Sequence, residues 1–204
     1  MKKLSVPAWK RALDIAASAL GLVLLSPFFV VTALLIKLDS KGPVFFCQER
    51  IGQGGRAFLI YKFRTMVADA ALKGGQLTAP NDSRVTRVGQ TLRKIKVDEL
   101  PQLFNVLKGE MTLVGPRPEV RRYVDLFSSD YEEILCARPG ITDLASLKYR
   151  DESSELAVAA DAEREYVTRV LPDKIALAKE YVRRSSFGFD LLLIVRTVVK
   201  ILVR

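Results

Sequence analysis

The chain has 204 residues, a net charge of +9 and no histidine. Without imidazole, Ser-His triads, histidine general bases and histidine-bound zinc are excluded, so acid–base or metal chemistry falls to carboxylates, Lys, Tyr or Cys. The basic balance implies an anionic partner (nucleic acid, anionic lipid or a phosphorylated substrate), and the two cysteines, Cys47 and Cys136, lack metal-ligand spacing and fit a reducing compartment.

At this length one domain with a real core is expected. Apolar residues concentrate near both ends. Residues 15–36 form a run of 22 without a charge, long enough as a helix to cross a bilayer core of about 30 Å. No cleavage site of small residues follows the run, so it is not read as a cleavable signal. Ser26-Pro27 falls in its middle, where proline removes a helical hydrogen bond. Ser26 is expected to serve a backbone group that Pro27 frees. Both flanks are basic (Lys2, Lys3, Lys10 and Arg11 before, Lys37 and Lys41 after), which favours both ends on one side of a membrane. The segment reads as helix, break, helix: a re-entrant hairpin dipping into one leaflet. A kinked single span is the competing arrangement.

Next, Val44-Phe45-Phe46 and Phe58-Leu59-Ile60-Tyr61 read as strands of a β-hairpin turning at Gly52 to Gly55. In Tyr61-Lys62-Phe63-Arg64 the alternation puts Lys62 and Arg64 on one strand face, as a pair of phosphate donors or as a solvated edge. Residues 67–81 read as a short helix and a polar loop, and residues 82–96 as a basic helix.

Residues 97–109 come next. Leu100, Leu103, Phe104 and Leu107 repeat at helical spacing, Asp98 stands at the N-cap position and Gly109 at the stop. Two readings stay open for the acid pair Asp98-Glu99. It caps a helix and favours its dipole, or, flanked by Arg93, Lys94, Lys96 and Arg117, it works on phosphate with a divalent metal. Residues 111–114 read as a strand. Gly115-Pro116-Arg117-Pro118 restricts the backbone of Arg117, either to aim its guanidinium or as an ordinary turn.

Residues 119–127 and 130–136 read as short helices, residues 138–142 as a turn and residues 144–149 as a strand. Residues 160–184 read as a helix restarted at Pro172. The apolar stretch from Phe187 carries Arg196, Lys200 and Arg204 at every fourth position, which suits a helix at a membrane interface. The expected fold is α+β, mostly helical. It has a membrane hairpin (1–40), a cytoplasmic globule (41–186) and an amphipathic interfacial helix (187–204).

These motifs, in this order, resemble the bacterial sugar transferase family, the small monotopic phosphoglycosyl transferases. The match runs through Ser26-Pro27, Arg50-Ile51-Gly52 with Gly55 and Phe58, and Tyr61-Lys62-Phe63-Arg64-Thr65-Met66. It continues through the stretch from Asp98 to Gly109, Gly115-Pro116-Arg117-Pro118 and Arg138-Pro139-Gly140-Ile141-Thr142. The resemblance implies transfer of a sugar phosphate from a UDP-sugar to a membrane polyprenol (undecaprenyl) phosphate, releasing UMP. It also implies Mg²⁺ and a monotopic place on the cytoplasmic face of the bacterial inner membrane.

By the same resemblance, Asp98 is the nucleophile that forms an aspartyl phosphosugar, and Glu99, with Asp98 beside it, holds Mg²⁺. Lys62 matches the strand lysine of the family, and Arg93 and Arg117 match its phosphate-binding arginines. The chain departs from the pattern after Thr142, where many members continue with Gly-Trp and this one has Asp143-Leu144. That leaves Arg150 as the match for the closing arginine. The chain resembles the minimal form of the family, without extra N-terminal membrane helices. A homodimer stays open. Two other readings remain: a membrane-bound Mg²⁺-dependent phosphohydrolase, and a basic membrane-anchored binding module. Nucleic acid is not expected as a partner, because basic residues are not interleaved with aromatics.

Overall fold

The computed structural model describes residues 4–70, 82–150, 152, 156 and 159–202, without the side chains of 201 and 202. The expected helix and loop over 67–81 lie mostly outside these residues, as does Arg204.

Helix α1 (Ala8–Leu24) and helix α2 (Ser26–Asp39) meet at Leu25 with a 60° bend. The break is local chemistry. Pro27 has no N–H for the carbonyl of Val23, and the Ser26 hydroxyl donates to that carbonyl instead, at 2.8 Å. No single described helix is long and apolar enough to cross a membrane; the bent pair passes by length and composition together. Its outer face carries Leu13, Ile15, Leu20, Val23, Leu24, Val30, Val31, Leu34, Leu35 and Leu38, all exposed.

Strands β1 (Phe45–Ile51) and β2 (Ala57–Phe63) form the expected antiparallel hairpin, with Phe46 opposite Lys62 and Ile51 opposite Ala57. The tight turn between them needs positive φ at Gly54 and Gly55. Helix α3 (Arg87–Lys94) is shorter than the expected 82–96. Thr86 caps it by accepting from the Gly89 N–H, and the Asp39 carboxylate at the end of α2 accepts from the Val88 N–H.

Helix α4 (Gln102–Lys108) begins three residues later than the acid pair suggested, so Asp98 is not its N-cap. Pro101 occupies that position, and residues 98–101 form tight turns closed by Gln102 N–H to Glu99 O and Leu103 N–H to Leu100 O. Gly109 ends α4 with φ of 82°, as expected.

Strand β3 (Thr112–Val114) pairs in parallel with β4 (Gly140–Thr142), a segment read from sequence as part of a turn. Helices α5 (Arg121–Leu126) and α6 (Ser128–Ile134) follow β3. After β4 comes α7 (Leu144–Lys148), where a strand was expected. The reason is Asp143, whose carboxylate accepts from the Ser146 N–H and starts a helix. The next segment runs as α8 (Ala162–Glu165), a π-turn (Tyr166–Val170) and α9 (Leu171–Arg184); α10 (Phe187–Leu202) closes the described chain.

The largest core gathers Ile51, Val120, Tyr123, Tyr131, Tyr166, Val170, Leu171 and Ile175 between β1, α5, α6 and α9. A smaller one, with Ile36, Phe63 and Leu92, joins the end of α2 to β2 and α3. Phe29 of α2 lies 5.0 Å from the Phe63 ring and 6.3 Å from the Phe104 ring. The ring of Phe29, in the first turn of α2, thus packs on the residue that follows Lys62 and on the third residue of α4. Asn105 fixes α4 to β2: fully buried, it accepts from Tyr61 N–H at 3.0 Å and donates to Leu59 O at 2.7 Å, like an extra strand.

Candidate active site

Asp98 and Glu99 stand on the turn between α3 and α4. The turn is entered through Lys96, a non-glycine residue in left-handed backbone (φ 59°), a conformation that costs on the order of 1 kcal/mol. The Asp98 carbonyl accepts from the Phe63 N–H at 2.8 Å, placing the acid pair against the end of β2 and beside Lys62.

The two carboxylates have different surroundings. Glu99 accepts from Lys62 Nζ at 2.7 Å and from Arg117 Nη1 at 3.0 Å, and Arg117 Nη2 binds its other oxygen, so the guanidinium grips it with both arms. Burial pushes Glu99 up, but Arg117 and Lys62 outweigh it and hold the carboxyl well below its ordinary range. The Asp98 carboxylate makes no hydrogen bond or ion pair among the described residues. Burial and the charge of Glu99 push its pKa up, against Lys62, Arg93 and Lys96. Lys62 is pushed down by burial, with Glu99 opposing. Lys62, Glu99 and Arg117 keep 19%, 22% and 33% of their side-chain surface exposed, so a solute can reach them.

The expected aim of Arg117 is realised: its guanidinium meets the Glu99 carboxylate. Its backbone N–H donates to Asp143 Oδ2 at 3.2 Å. Arg93 is tethered by its Nε to Thr65 Oγ1 at 2.8 Å, and its two terminal nitrogens have no partner among the described residues. Its charge acts on Asp98.

One other expected site residue is not brought to the pair. Arg64 follows the end of β2, is 4% exposed, and donates to Ser40 O at 2.7 Å, Ser40 Oγ at 2.9 Å and Ile36 O at 3.3 Å. It caps the end of α2 rather than sharing a face with Lys62. Arg150, after α7, makes no hydrogen bond or ion pair with a described residue. The basic flanks of the apolar run also have structural partners. Lys10 is buried against Asp190, and Arg11 donates to the carbonyls of Val106 and Leu107 at the end of α4. Sequence reading missed Thr65, Asn105 and Asp143; only Asp143, three residues ahead of Ser146 and before an apolar run, carried a local capping signal.

A family profile described as bacterial sugar transferase matches residues 5–204. The chain belongs to the bacterial sugar transferase family. It is 43% identical over 198 residues to the UDP-N-acetylgalactosamine-undecaprenyl-phosphate N-acetylgalactosaminephosphotransferase of Aeromonas hydrophila, covering 95% of this chain and 43% of the relative. It is 38% identical over 205 residues to the UDP-glucose:undecaprenyl-phosphate glucose-1-phosphate transferase of Caulobacter vibrioides, covering 99% and 73%. It is 40% identical over 203 residues to the exopolysaccharide production protein PSS of Rhizobium leguminosarum, covering 96% of each. The chain thus spans less than half of the Aeromonas relative, and 35% of an undecaprenyl-phosphate glucose phosphotransferase from Komagataeibacter xylinus.

Among the described residues no group of three or more His, Cys, Asp or Glu could cage a metal. Mg²⁺ does not require such a cage, since one or two carboxylates with substrate phosphates and water suffice. Glu99 Oε1 is taken by Lys62 and Arg117, whereas Oε2 accepts only from Arg117 and keeps one acceptor position. Asp98 keeps both oxygens. The pair fits a metal completed by phosphate.

Proposed function

We propose that this chain moves a sugar 1-phosphate from a UDP-sugar to a polyprenol phosphate at a membrane surface, with Asp98 as nucleophile. One observation carries the reading: of two adjacent carboxylates, Glu99 is bound by two cations and Asp98, among the described residues, is bound by none. A nucleophile needs free lone pairs, and an ionised carboxylate needs no general base.

An Asp98 oxygen attacks the sugar-bearing phosphorus of the donor. The bond from that phosphorus to the bridging oxygen breaks, and UMP leaves with its electron pair. The aspartyl phosphosugar is then attacked by a phosphate oxygen of the polyprenol phosphate. This frees the Asp98 carboxylate and gives the polyprenyl diphosphate sugar. The terminal nitrogens of Arg93, which have no partner among the described residues, and the remaining donors of Lys62 offset charge that would otherwise repel the attacking carboxylate. When bound, Mg²⁺ supplies further charge neutralisation at the diphosphate, and Glu99 and Asp98 are the residues that hold it.

The apolar surfaces support the membrane part of the reading. Exposed side chains on the bent pair α1–α2 and on α10 (Phe187, Leu191, Leu192, Val195, Val198, Val199) meet where Trp9 packs edge-on to Phe187 at 5.1 Å. In this reading α1–α2 dips into one leaflet from the cytoplasmic face of the bacterial inner membrane, next to the site through Phe29, Phe63 and Phe104. The relatives' names mention N-acetylgalactosamine and glucose, so the sugar is found by testing donors.

The test follows UMP release with Mg²⁺ and a panel of UDP-sugars, with and without polyprenol phosphate. Continuous turnover only with the lipid, with label from the sugar phosphate passing into it, is expected. Equal turnover in water alone would make the protein a phosphohydrolase.

A further inference from the structure

Far in sequence from the acid pair, three side chains close a buried polar knot. Lys10 of α1 donates to Asp190 Oδ2 of α10 at 2.6 Å, to the Tyr181 hydroxyl of α9 at 2.8 Å and to the carbonyl of Val114 at 2.8 Å. The Tyr181 hydroxyl lies 2.9 Å from the same carbonyl and 2.7 Å from Asp190 Oδ1. Lys10, Asp190, Tyr181 and Val114 are 8%, 4%, 2% and 2% exposed. All three ammonium protons have acceptors, so the charge is compensated on every side.

The carbonyl at the centre of the knot ends β3, and the chain goes from it directly into Gly115-Pro116-Arg117. That passage is stiff. Gly115 N–H donates to Thr142 O at 3.1 Å, Gly140 N–H to Pro116 O at 3.0 Å, and Arg117 N–H to Asp143 Oδ2 at 3.2 Å. A Cβ added to Gly140 would stand 2.0 Å from Gly115 N, so the two strands cross with no slack. Pro116 and Pro118 fix the backbone on both sides of Arg117. The Val114 carbonyl and the backbone of Arg117 are thus joined by a short, braced stretch of chain.

We propose that Lys10, Tyr181 and Asp190 are positioning residues for Arg117, which make its grip on Glu99 depend on the docking of α1 and α10. The proposal rests on the reading of Asp98, Glu99 and Arg117 as the reacting site. It gives the two apolar-faced helices a role in the chemistry: their joint seating on β3 sets the pose of an arginine 107 positions along the chain from Lys10. It also explains why a lysine is buried in α1, where any apolar residue would fill the space without needing three partners.

The test is a double-mutant cycle on kcat with Tyr181→Phe and Arg117→Lys, in full-length protein. Tyr181→Phe keeps the ring and removes the hydroxyl that accepts from Lys10 and holds its single proton between the Val114 carbonyl and Asp190 Oδ1. It is expected to lower kcat roughly tenfold, the scale of a lost buried hydrogen bond. In the Arg117→Lys background the same change is expected to cost less than about twofold, because both act through one group. Multiplying effects, or an unchanged kcat for Tyr181→Phe alone, would overturn the proposal. Val124→Ala, in the large core and outside the cavity that Arg117 lines, controls for lost stability and is expected to leave kcat alone well below its melting temperature. A second readout needs no turnover: the side-chain Nε–H NMR signal of Arg117 in detergent micelles. It is expected to be sharp in the parent protein and broadened in Tyr181→Phe; an identical signal in both overturns the proposal. A parent protein that transfers nothing refutes the functional reading, and the NMR comparison still decides the positioning role.

Discussion

Lys10 and Asp190 meet at 2.6 Å, and Lys62 and Glu99 meet at 2.7 Å. The chemistry of the two pairs is nearly the same, yet their surroundings differ in one respect. Around Lys10 every donor and acceptor is satisfied within the knot. Around Lys62 a second carboxylate, Asp98, is left unbound among the described residues, and the terminal nitrogens of Arg93 likewise have no described partner. The first pair joins three helices and a strand. The second holds one acid so that its neighbour stays reactive. Closure of a polar cluster marks structure, and a deliberate opening in one marks chemistry.

The largest expected effect breaks the open side of this comparison. Asp98→Asn should reduce sugar-phosphate transfer by roughly three or more orders of magnitude. Its stability should move the other way. The folded carboxyl has a raised pKa, so the folded state holds its proton more tightly than the unfolded chain does. Stability then falls as pH rises through the window above the ordinary aspartate value of about 3.9. Removing the charge should raise the melting temperature at pH 7 in Mg²⁺-free buffer. Glu99→Gln should lower it, since a depressed carboxyl contributes stability that is present at neutral pH and lost on acidification.

Breaking the closed side is next in size. Lys10→Met leaves Asp190 buried and unpaired and should cost about 3–5 kcal/mol in denaturant unfolding. Lys10→Met with Asp190→Leu should recover most of that loss while transfer stays impaired, because the Val114 carbonyl has still lost a donor. Arg117→Lys sharpens the comparison from the other direction. A lysine keeps the charge but cannot grip Glu99 with two arms, so the rate should fall by about 10- to 100-fold with the fold intact. The smallest effect belongs to the helix break. Ser26→Ala leaves the Val23 carbonyl without its donor and should cost about 1 kcal/mol in thermal unfolding.

What could be read from sequence follows the same division. The β-hairpin, the Gly109 stop, the Ser26-Pro27 break and the acid pair were legible because each is written within a few residues. The Arg117 turn was legible because two prolines announce it. The β3–β4 pairing was not, since each strand is three residues long and parallel partners lie far apart in the chain. Asp98 looked like a cap because the acid came before an apolar repeat. The left-handed Lys96 and the turns after it displace the start of the helix to Gln102, and no residue type announces that. Arg64 shares the alternation of Lys62, but β2 ends between them, and its true partner is the end of α2. Lys10 looked like the basic edge of an apolar helix. Its partner Asp190 is 180 residues away, and only the fold brings them together.

The central claim, that transfer passes through a free Asp98, is tested most directly by intact-protein mass spectrometry. Purified protein is mixed with Mg²⁺ and UDP-sugars without any lipid acceptor. The account predicts a mass increase of one phosphosugar with the correct donor, mapped to the peptide holding Asp98 and absent from Asp98→Asn. Release of UMP on adding polyprenol phosphate, with no adduct under any donor, would contradict it.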